Sequence, residues 1–424
     1  MPAIAEQLAQ LQTLLASLRA NPFYRRKLTG TGVLDGTTSV QDFTARCPFT
    51  TKAELLADQA AHLPYGTNLT FARECYTRCH QTSGSGGAPL RWLDTPESWD
   101  WMLGNWEQIY GAAGVTRADR IFFAFSFGPF LGFWTAFEAA LKLGCLCLPG
   151  GGLGSAARLR AMIENEATVL CCTPTYAIRL AEVAREEKID PTTLRIKKII
   201  VAGEPGGSVP AVRARIEQLW PGARVWDHHG MTEVGPVTYE CPARPGVLHV
   251  IENSYLAEIV HPATGQPAAV GETGELILTT LGRIGSPLLR YRTGDLVKAA
   301  SRTDVPCVCG RHELALEGGI LARTDDMLVV RGVNIYPAAV EEIIHRTGQV
   351  AEYQVEVRTQ AALTELLVRV EPRAASVDAV ALAQELARDF QIAFALRIPV
   401  EVVAPGSLPR FEMKARRWLR IGAR

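Results

Sequence analysis

The sequence predicts an α/β protein in which a large N-terminal domain of helix-covered sheets carries a β-rich subdomain and is followed by a small α+β C-terminal domain. Three observations predict it. The chain has 424 residues, 47% of them hydrophobic, enough to bury more than one core. From about residue 120, short apolar runs alternate with helical patterns. Beyond Cys241 the texture turns to strands punctuated by Gly and Pro, and the last hundred or so residues combine strands with a single amphipathic helix.

Taken in order, the start "MPAIAEQLAQLQTLLASLRANPFYRRKL" places apolar residues at helical spacing among Gln and Glu. That helix should end near Ala20, because Pro22 disfavours helix at the residue before it. The mixture is unlike a signal peptide, and no stretch approaches the ~18 uninterrupted apolar residues of a membrane span, so a cytoplasmic protein is expected. The runs "IFFAFSF", "CLCLPG", "TVLCCTP" and "KKIIVAG" alternate with "LGSAARLRAMIENEA" and "AIRLAEVAREEK", which implies a parallel sheet covered by helices. "YLAEIVHPATGQPAAVGETGELILTTL" reads as hairpin-like strands. Towards the C-terminus, "EYQVEVRTQAALTELLVRVEP" reads as two strands, "VDAVALAQELARDFQIAFAL" as a helix and "IPVEVVAP" as a strand. No internal repeat or low-complexity segment is present.

The 44 basic and 44 acidic residues cancel, and no Lys/Arg run forms a stripe. Neither nucleic acid nor a membrane surface is therefore expected as a partner. The expected partner is a small molecule.

In "TSGSGG", residues 82–87, three glycines and two serines allow the backbone to turn its N–H groups towards one anion, with hydroxyls as further donors. On its own a Gly/Ser stretch is more often a flexible turn, and this one lacks the ending of a Walker loop. Further along come "DHHGMTEVGP" at 227–236, "YRTGDLV" at 291–297, "ARTDDMLVVRGVNIYP" at 322–337 and "PGSLPRFEMKARR" at 405–417. In this order, with the "NPFYRRKL" start, the stretches resemble the adenylate-forming enzyme superfamily, and within it the phenylacetate–coenzyme A ligase family. The resemblance covers nearly the whole chain.

The resemblance implies a role for each motif. Residues 1–322 would form the large domain that binds ATP and the acid, 323–326 the hinge, and 327–424 a small mobile domain. Ser83, Gly84, Ser85, Gly86 and Gly87 would hold the β- and γ-phosphates of ATP while a carboxylate attacks the α-phosphorus. Thr232 would meet the α-phosphate and Glu233 would bind Mg2+, which neutralises phosphate oxygens. Asp295 would accept from both ribose hydroxyls, and Arg323 would contact ribose or phosphate. Gly203, Glu204, Pro205, Asp227, His228, His229, Gly230 and Met231 would complete the nucleotide site, with His229, in place of the usual tyrosine, stacking on the purine. A His pair also suggests metal or base chemistry, but adjacent side chains on a strand point to opposite faces. Asp325 matches the pivot residue. Lys414 would bridge carboxylate and α-phosphate in the first half-reaction and leave in the second, when Gly332 would come forward to line the thiol tunnel. Three departures stand out: Ala88 where the loop often has lysine, Gly86 where it has threonine, and Met413 for the glycine before Lys414.

"FAFSFGPFLGFW" places four phenylalanines and a tryptophan in the ten residues after Ala124. Any one of them is explained by core packing, but the matching family segment lines the acyl pocket. Phe127 and Phe130 are the leading ring contacts, with Thr173, Tyr176, Ala202, Gly203, Glu204 and His228 nearby by resemblance. A flat aromatic acid fits, and polar contacts from His228 and Tyr176 make a hydroxy- or aminobenzoate as reasonable as phenylacetate. Separately, Cys241, His249, Cys307 and Cys309 form a soft set suited to tetrahedral structural Zn2+. The remaining cysteines are expected in the core.

These readings converge on an ATP-dependent aryl acid:coenzyme A ligase acting through an acyl-adenylate. The alternatives are transfer to a carrier-protein phosphopantetheine or an amine, and a catalytically weakened acyl-adenylate binding protein. The particular acid is open, as is homodimerisation.

Overall fold

The computed structural model describes residues 2–82, 89–190, 193–300, 306–331, 333–360, 363–374, 376–411 and 415–421. Its centre is a five-stranded parallel sheet, with strands in the order Leu146–Pro149, Arg120–Phe123, Val169–Cys172, Lys198–Val201 and Arg224–Asp227. The helices Trp134–Leu143, Ser155–Glu164, Pro174–Glu186 and Pro210–Leu219 make the crossovers. Because side chains alternate across a strand, Ile121, Phe123, Cys171, Ile200 and Trp226 enter one core. Their neighbours Phe122, Leu170, Cys172, Ile199, Val201 and Val225 enter the other. Burial on both faces is why these strands read as continuous apolar runs rather than alternating ones.

The first helix runs over Pro2–Ser17 and closes in a 3-10 turn at Leu18–Ala20. Asn21 then accepts from Tyr24 N and caps the next helix, whose first residue is Pro22. Helix Pro96–Ala112 buries Trp99, Met102, Trp106, Ile109 and Tyr110 at helical spacing against the core it shares with the sheet.

The β-rich subdomain contains a four-stranded antiparallel sheet, Tyr255–Val260, Thr273–Thr280, Tyr291–Lys298 and Ala322–Arg323. A three-stranded sheet joins Thr238–Glu240, Val247–Val250 and Ala315–Glu317. The C-terminal part has its own core. Its sheet runs Val400–Val402, Leu363–Pro372, Val350–Gln360 and Trp418–Ile421, and helices Pro337–Arg346 and Ala379–Phe394 contribute to that core. The last strand, unforeseen in the sequence, pairs parallel to Val355–Arg358.

The cysteines correct one expectation. Cys75 and Cys79 are exposed, whereas Cys47, Cys145, Cys171 and Cys172 are buried. Among the described residues no helix is long and apolar enough to cross a membrane.

Candidate active site

Parallel strands deliver their following loops to one edge of the sheet, outside the carboxyl ends, where α/β folds bind ligands. The loops that follow Phe123, Cys172, Val201 and Asp227 bring Phe127, Phe130, Thr173, the 202–205 segment and the 228–233 segment to that edge. Residues Ser83, Gly84, Ser85, Gly86, Gly87, Ala88, Gly332, Met413 and Lys414 lie outside the described residues.

Asp227 ends its strand and accepts from Ser208 Oγ at 2.6 Å. Burial pushes its carboxyl up to about 6, against the hydrogen bond from Ser208 and the charge of Arg213. Gly207 makes this close approach feasible, since a Cβ there would stand 2.4 Å from Asp227 Cγ. Strand Gly230–Met231 folds back on Gly235–Pro236, so Thr232 and Glu233 sit at the tip of a tight hairpin.

That tip is held from behind. Arg283 Nη1 donates to the carbonyl oxygens of Thr232 at 2.8 Å and Glu233 at 2.9 Å. The rest of its guanidinium grips Asp94 through two bonds of 2.7 and 2.6 Å, and both side chains are 0% exposed. The Glu233 carboxylate, in a residue 2% exposed, lies 3.1 Å from Lys52 Nζ. Sequence reasoning missed Asp94, Arg283 and Lys52. Asp94 and Arg283 are 189 positions apart and carry no motif, whereas Lys52 opens a helix announced by the Thr51–Glu54 capping box.

His229 and His228 diverge, as neighbours on an extended segment should. His229 Nε2 lies 2.8 Å from Asp295 Oδ2. The ring expected to stack on a purine is thus turned towards the ribose candidate. His228, 7% exposed, packs edge-on against Trp106 with ring centroids 4.4 Å apart, and near Phe133 at 6.3 Å. Burial, and then the neighbouring His229, push its pKa down to about 3, so the ring is neutral. Among the described residues, both His228 nitrogens and His229 Nδ1 are buried without a hydrogen-bond partner.

Asp295 follows Gly294, whose φ of +77° is a backbone conformation that favours glycine. Its Oδ1 accepts from Arg323 Nη1 at 2.7 Å, and Arg323 Nε also donates to Asp325 at 2.9 Å. Burial would raise the Asp295 carboxyl, but the charges of His229 and Arg323 outweigh it and hold it below the usual carboxylate value.

The aromatic loop forms a chain of edge-to-face rings. Phe125 meets Phe127 at 5.1 Å, Phe130 at 5.4 Å and Phe133 at 5.7 Å. Phe127 has φ of +50°, strained for a bulky residue. Tyr176 is elsewhere. It is 1% exposed in the core on the opposite face of the sheet, with its hydroxyl 2.9 Å from Ser155 Oγ. Its position one turn into helix Pro174–Glu186 faces that second core, so the expected contact with the acid is not supported by its placement. In the 202–205 loop, Glu204 Oε1 accepts from Thr175 N at 2.9 Å.

In the subdomain, Cys241 follows strand Thr238–Glu240, and His249 lies in the neighbouring strand opposite Tyr239. Cys307 and Cys309 lie in one turn, closed by Gly310 N donating to Cys307 O at 2.7 Å. The four side chains meet with all ligand atoms within 4.8 Å of one another.

Comparison with known proteins places this geometry among relatives. The chain matches the AMP-binding enzyme family over residues 82–282 and the AMP-binding enzyme C-terminal domain over residues 332–420. It is 32% identical to the phenylacetate-coenzyme A ligase of Thermus thermophilus, over 92% of this chain and 90% of that one. A 2-hydroxyisobutyryl-CoA ligase in the postadenylation state, in complex with 2-HIB-AMP, superposes with a TM-score of 0.91 at 31% identity, covering 98% of this chain and 89% of the other. The same ligase in the thioesterification state, with 2-HIB-AMP and CoA, gives 0.73 at 31% identity, covering 99% and 90%.

Proposed function

The chain belongs to the phenylacetate–coenzyme A ligase family of AMP-binding enzymes, and on that premise we propose that it activates an aromatic carboxylic acid with ATP and transfers the acyl group to coenzyme A. In the first half-reaction a carboxylate oxygen attacks the α-phosphorus of ATP. The bond to the β-phosphate oxygen breaks, pyrophosphate leaves and an acyl-adenylate remains. In the second, the thiol sulfur attacks the acyl carbon, its proton departs and AMP leaves. The observation that carries the reading is the group of buried, unpartnered ring nitrogens on His228 and His229, placed beside Asp295 on one side and the phenylalanine chain on the other. Buried polar atoms of this kind ordinarily find a partner, and here a ligand would supply it.

Asp295 and Arg323 would take the ribose, Thr232 the α-phosphate, residues 83–87 the outer phosphates, and Phe127 and Phe130 the acid. Glu233 is the carboxylate suited to Mg2+, which when bound neutralises phosphate charge; its ammonium neighbour Lys52 is already in place. The hydrogen-bonding capacity of His228 favours an acid with a hydroxyl or amino substituent. The chain's closer match to the relative's postadenylation state than to its thioesterification state, 0.91 against 0.73, supports a small domain that has not yet moved for thiol entry.

A structural Zn2+ is a second part of the proposal. Cys241 Sγ and Cys307 Sγ are 3.7 Å apart, and Cys309 Sγ and His249 Nε2 are 3.4 Å apart. Bonds of ~2.3 Å to sulfur in a tetrahedron put neighbouring sulfurs roughly 3.8 Å apart, so the set fits zinc and is far too wide for a disulfide. Three thiols and an imidazole leave no open position, so the ion would brace the subdomain.

The test is acid-dependent pyrophosphate exchange across benzoates and arylacetates, followed by thioester formation with free coenzyme A or a loaded carrier protein. Lys414→Ala should lose exchange about 10²–10³-fold and still form thioester from supplied acyl-adenylate. Exchange at the wild-type rate in this variant, or no exchange with any acid in the unmodified protein, would refute the proposal.

A further inference from the structure

The carboxylate of Glu204 engages two backbone amides from distant parts of the chain. Oε1 accepts from Thr175 N at 2.9 Å, in the first turn of helix Pro174–Glu186, where free N–H groups and the helix dipole favour an anion. Oε2 accepts at 3.0 Å from Ala415 N, 211 positions later and next in sequence to Lys414. Two residues on, Arg417 extends the same junction. Its Nη1 donates to Thr175 Oγ1 at 3.2 Å, while its other nitrogens donate to Glu352 at 2.6 and 3.2 Å and its guanidinium lies 4.9 Å from the Tyr353 ring centre. The segment 415–417 is therefore tied to the large domain by Glu204 and Thr175 and to the small one by Glu352 and Tyr353.

We propose that Glu204 is a positioning residue for the adenylation lysine, anchoring the backbone beside Lys414 during the first half-reaction and releasing it when the small domain moves for the second. The inference rests on Lys414 acting in adenylation. It reassigns Glu204 from the nucleotide site, where the family resemblance placed it, because both of its oxygens engage main-chain donors of the protein itself. A carboxylate can accept on both oxygens, whereas glutamine offers one acceptor and turns an NH2 towards the other amide. Anchoring of this kind affects only the step in which the lysine is needed.

The experiment compares Glu204→Gln, Thr175→Val and Lys414→Ala in acid-dependent pyrophosphate exchange, in thioester formation from supplied acyl-adenylate, and in KM for ATP and acid. Loss of one charge-assisted bond should lower the exchange kcat of Glu204→Gln about tenfold, with KM values unchanged and thioester formation unchanged or faster. Thr175→Val, which removes only the Arg417 contact, should lower exchange a few-fold in the same pattern. A raised KM for ATP or acid would make Glu204 a ligand contact and overturn the proposal. An equal fall in both half-reactions, or no change in exchange, would overturn it too. If Glu204→Gln proves unstable, Glu204→Asp decides: it keeps the carboxylate but shortens its reach to the two amides, so exchange should fall in the same pattern, and full exchange would overturn the anchor. Lys414→Ala separates the two levels. Wild-type exchange in that variant would remove the lysine's role and the anchor with it, whereas loss of exchange there with full exchange in Glu204→Gln would remove the anchor alone.

Discussion

Asp295 and Arg323 stand opposite each other across two antiparallel strands, and a 2.7 Å contact between Oδ1 and Nη1 closes the pairing. The other Asp295 oxygen faces His229, and the same guanidinium reaches on to Asp325. The residue proposed for the ribose and the residue proposed as pivot thus share one cation.

This sharing makes Asp295 a pH-dependent support of the fold. Its carboxyl is held below the usual value in the folded protein, so its stabilisation is fully present above the unfolded pKa of ~3.9 and is lost as pH falls through the lower folded value. Asp295→Asn should therefore melt lower than wild type at pH 6, with the gap closing as pH falls below the unfolded value of ~3.9 and through the lower folded one. Melting curves across that range check it. A gap constant with pH would mean that the lost contacts do not depend on the charge.

Arg283 and Asp94 form a fully buried ion pair that also holds the Thr232–Glu233 carbonyls. Removing one partner strands a buried charge, so Arg283→Met should destabilise by about 3–5 kcal/mol. The double variant Asp94→Leu/Arg283→Met should recover much of that stability, because apolar replacement of a buried pair is often neutral. It should not recover adenylation, since the two carbonyls behind Glu233 lose their donor. Denaturant melts paired with exchange rates over a Mg2+ titration separate the roles, and full activity in the double variant would reduce the pair to a packing element.

Legibility from sequence followed range. The parallel sheet was readable because each strand is a short run buried on both faces, such as Val169–Cys172. The metal cluster was readable because its members lie in two short stretches. Asp94 and Arg283 were not, because nothing local distinguishes a buried arginine from a surface one until the fold joins them. Tyr176 failed differently: neighbourhood in sequence to the site was taken for neighbourhood in space, and one helical turn directed the ring to the opposite face of the sheet. The two main-chain partners of Glu204 were not legible either, since a backbone amide leaves no mark in the sequence.

The zinc proposal predicts about one tightly bound ion per chain after a chelator wash. Cys307→Ser/Cys309→Ser should lose the ion and melt at a lower temperature, because structural metal binding is coupled to folding. Elemental analysis with melting curves decides it. Metal-free wild-type protein that melts normally would end the idea, and the cluster would be three free thiols around His249.

The acid site makes the last prediction. Phe127 sits in strained backbone at φ +50°, and its ring packs against Phe125, Trp134 at 4.9 Å and Phe137 at 5.4 Å. Such strain is retained where the surroundings over-determine it, often at ligand sites. Phe127→Ala keeps the main chain and removes the ring, so the acid should lose about 1.5–3 kcal/mol of apolar burial, a rise in its KM of about ten- to a hundredfold. The KM for ATP should barely move. His228 refines the same experiment. With its pKa pushed down to about 3, the ring stays neutral from pH 6 to 8, so acid binding should show no inflection near the ordinary histidine value. The unfolded chain, by contrast, takes up this proton near ~6.5, so His228 contributes a fall in stability as pH drops from there towards 3. His228→Phe should abolish that contribution and narrow any preference for hydroxy- or aminobenzoates over benzoate. An equal rise in KM for ATP and acid in Phe127→Ala, or an unchanged acid preference in His228→Phe, would place the acyl pocket away from this aromatic chain.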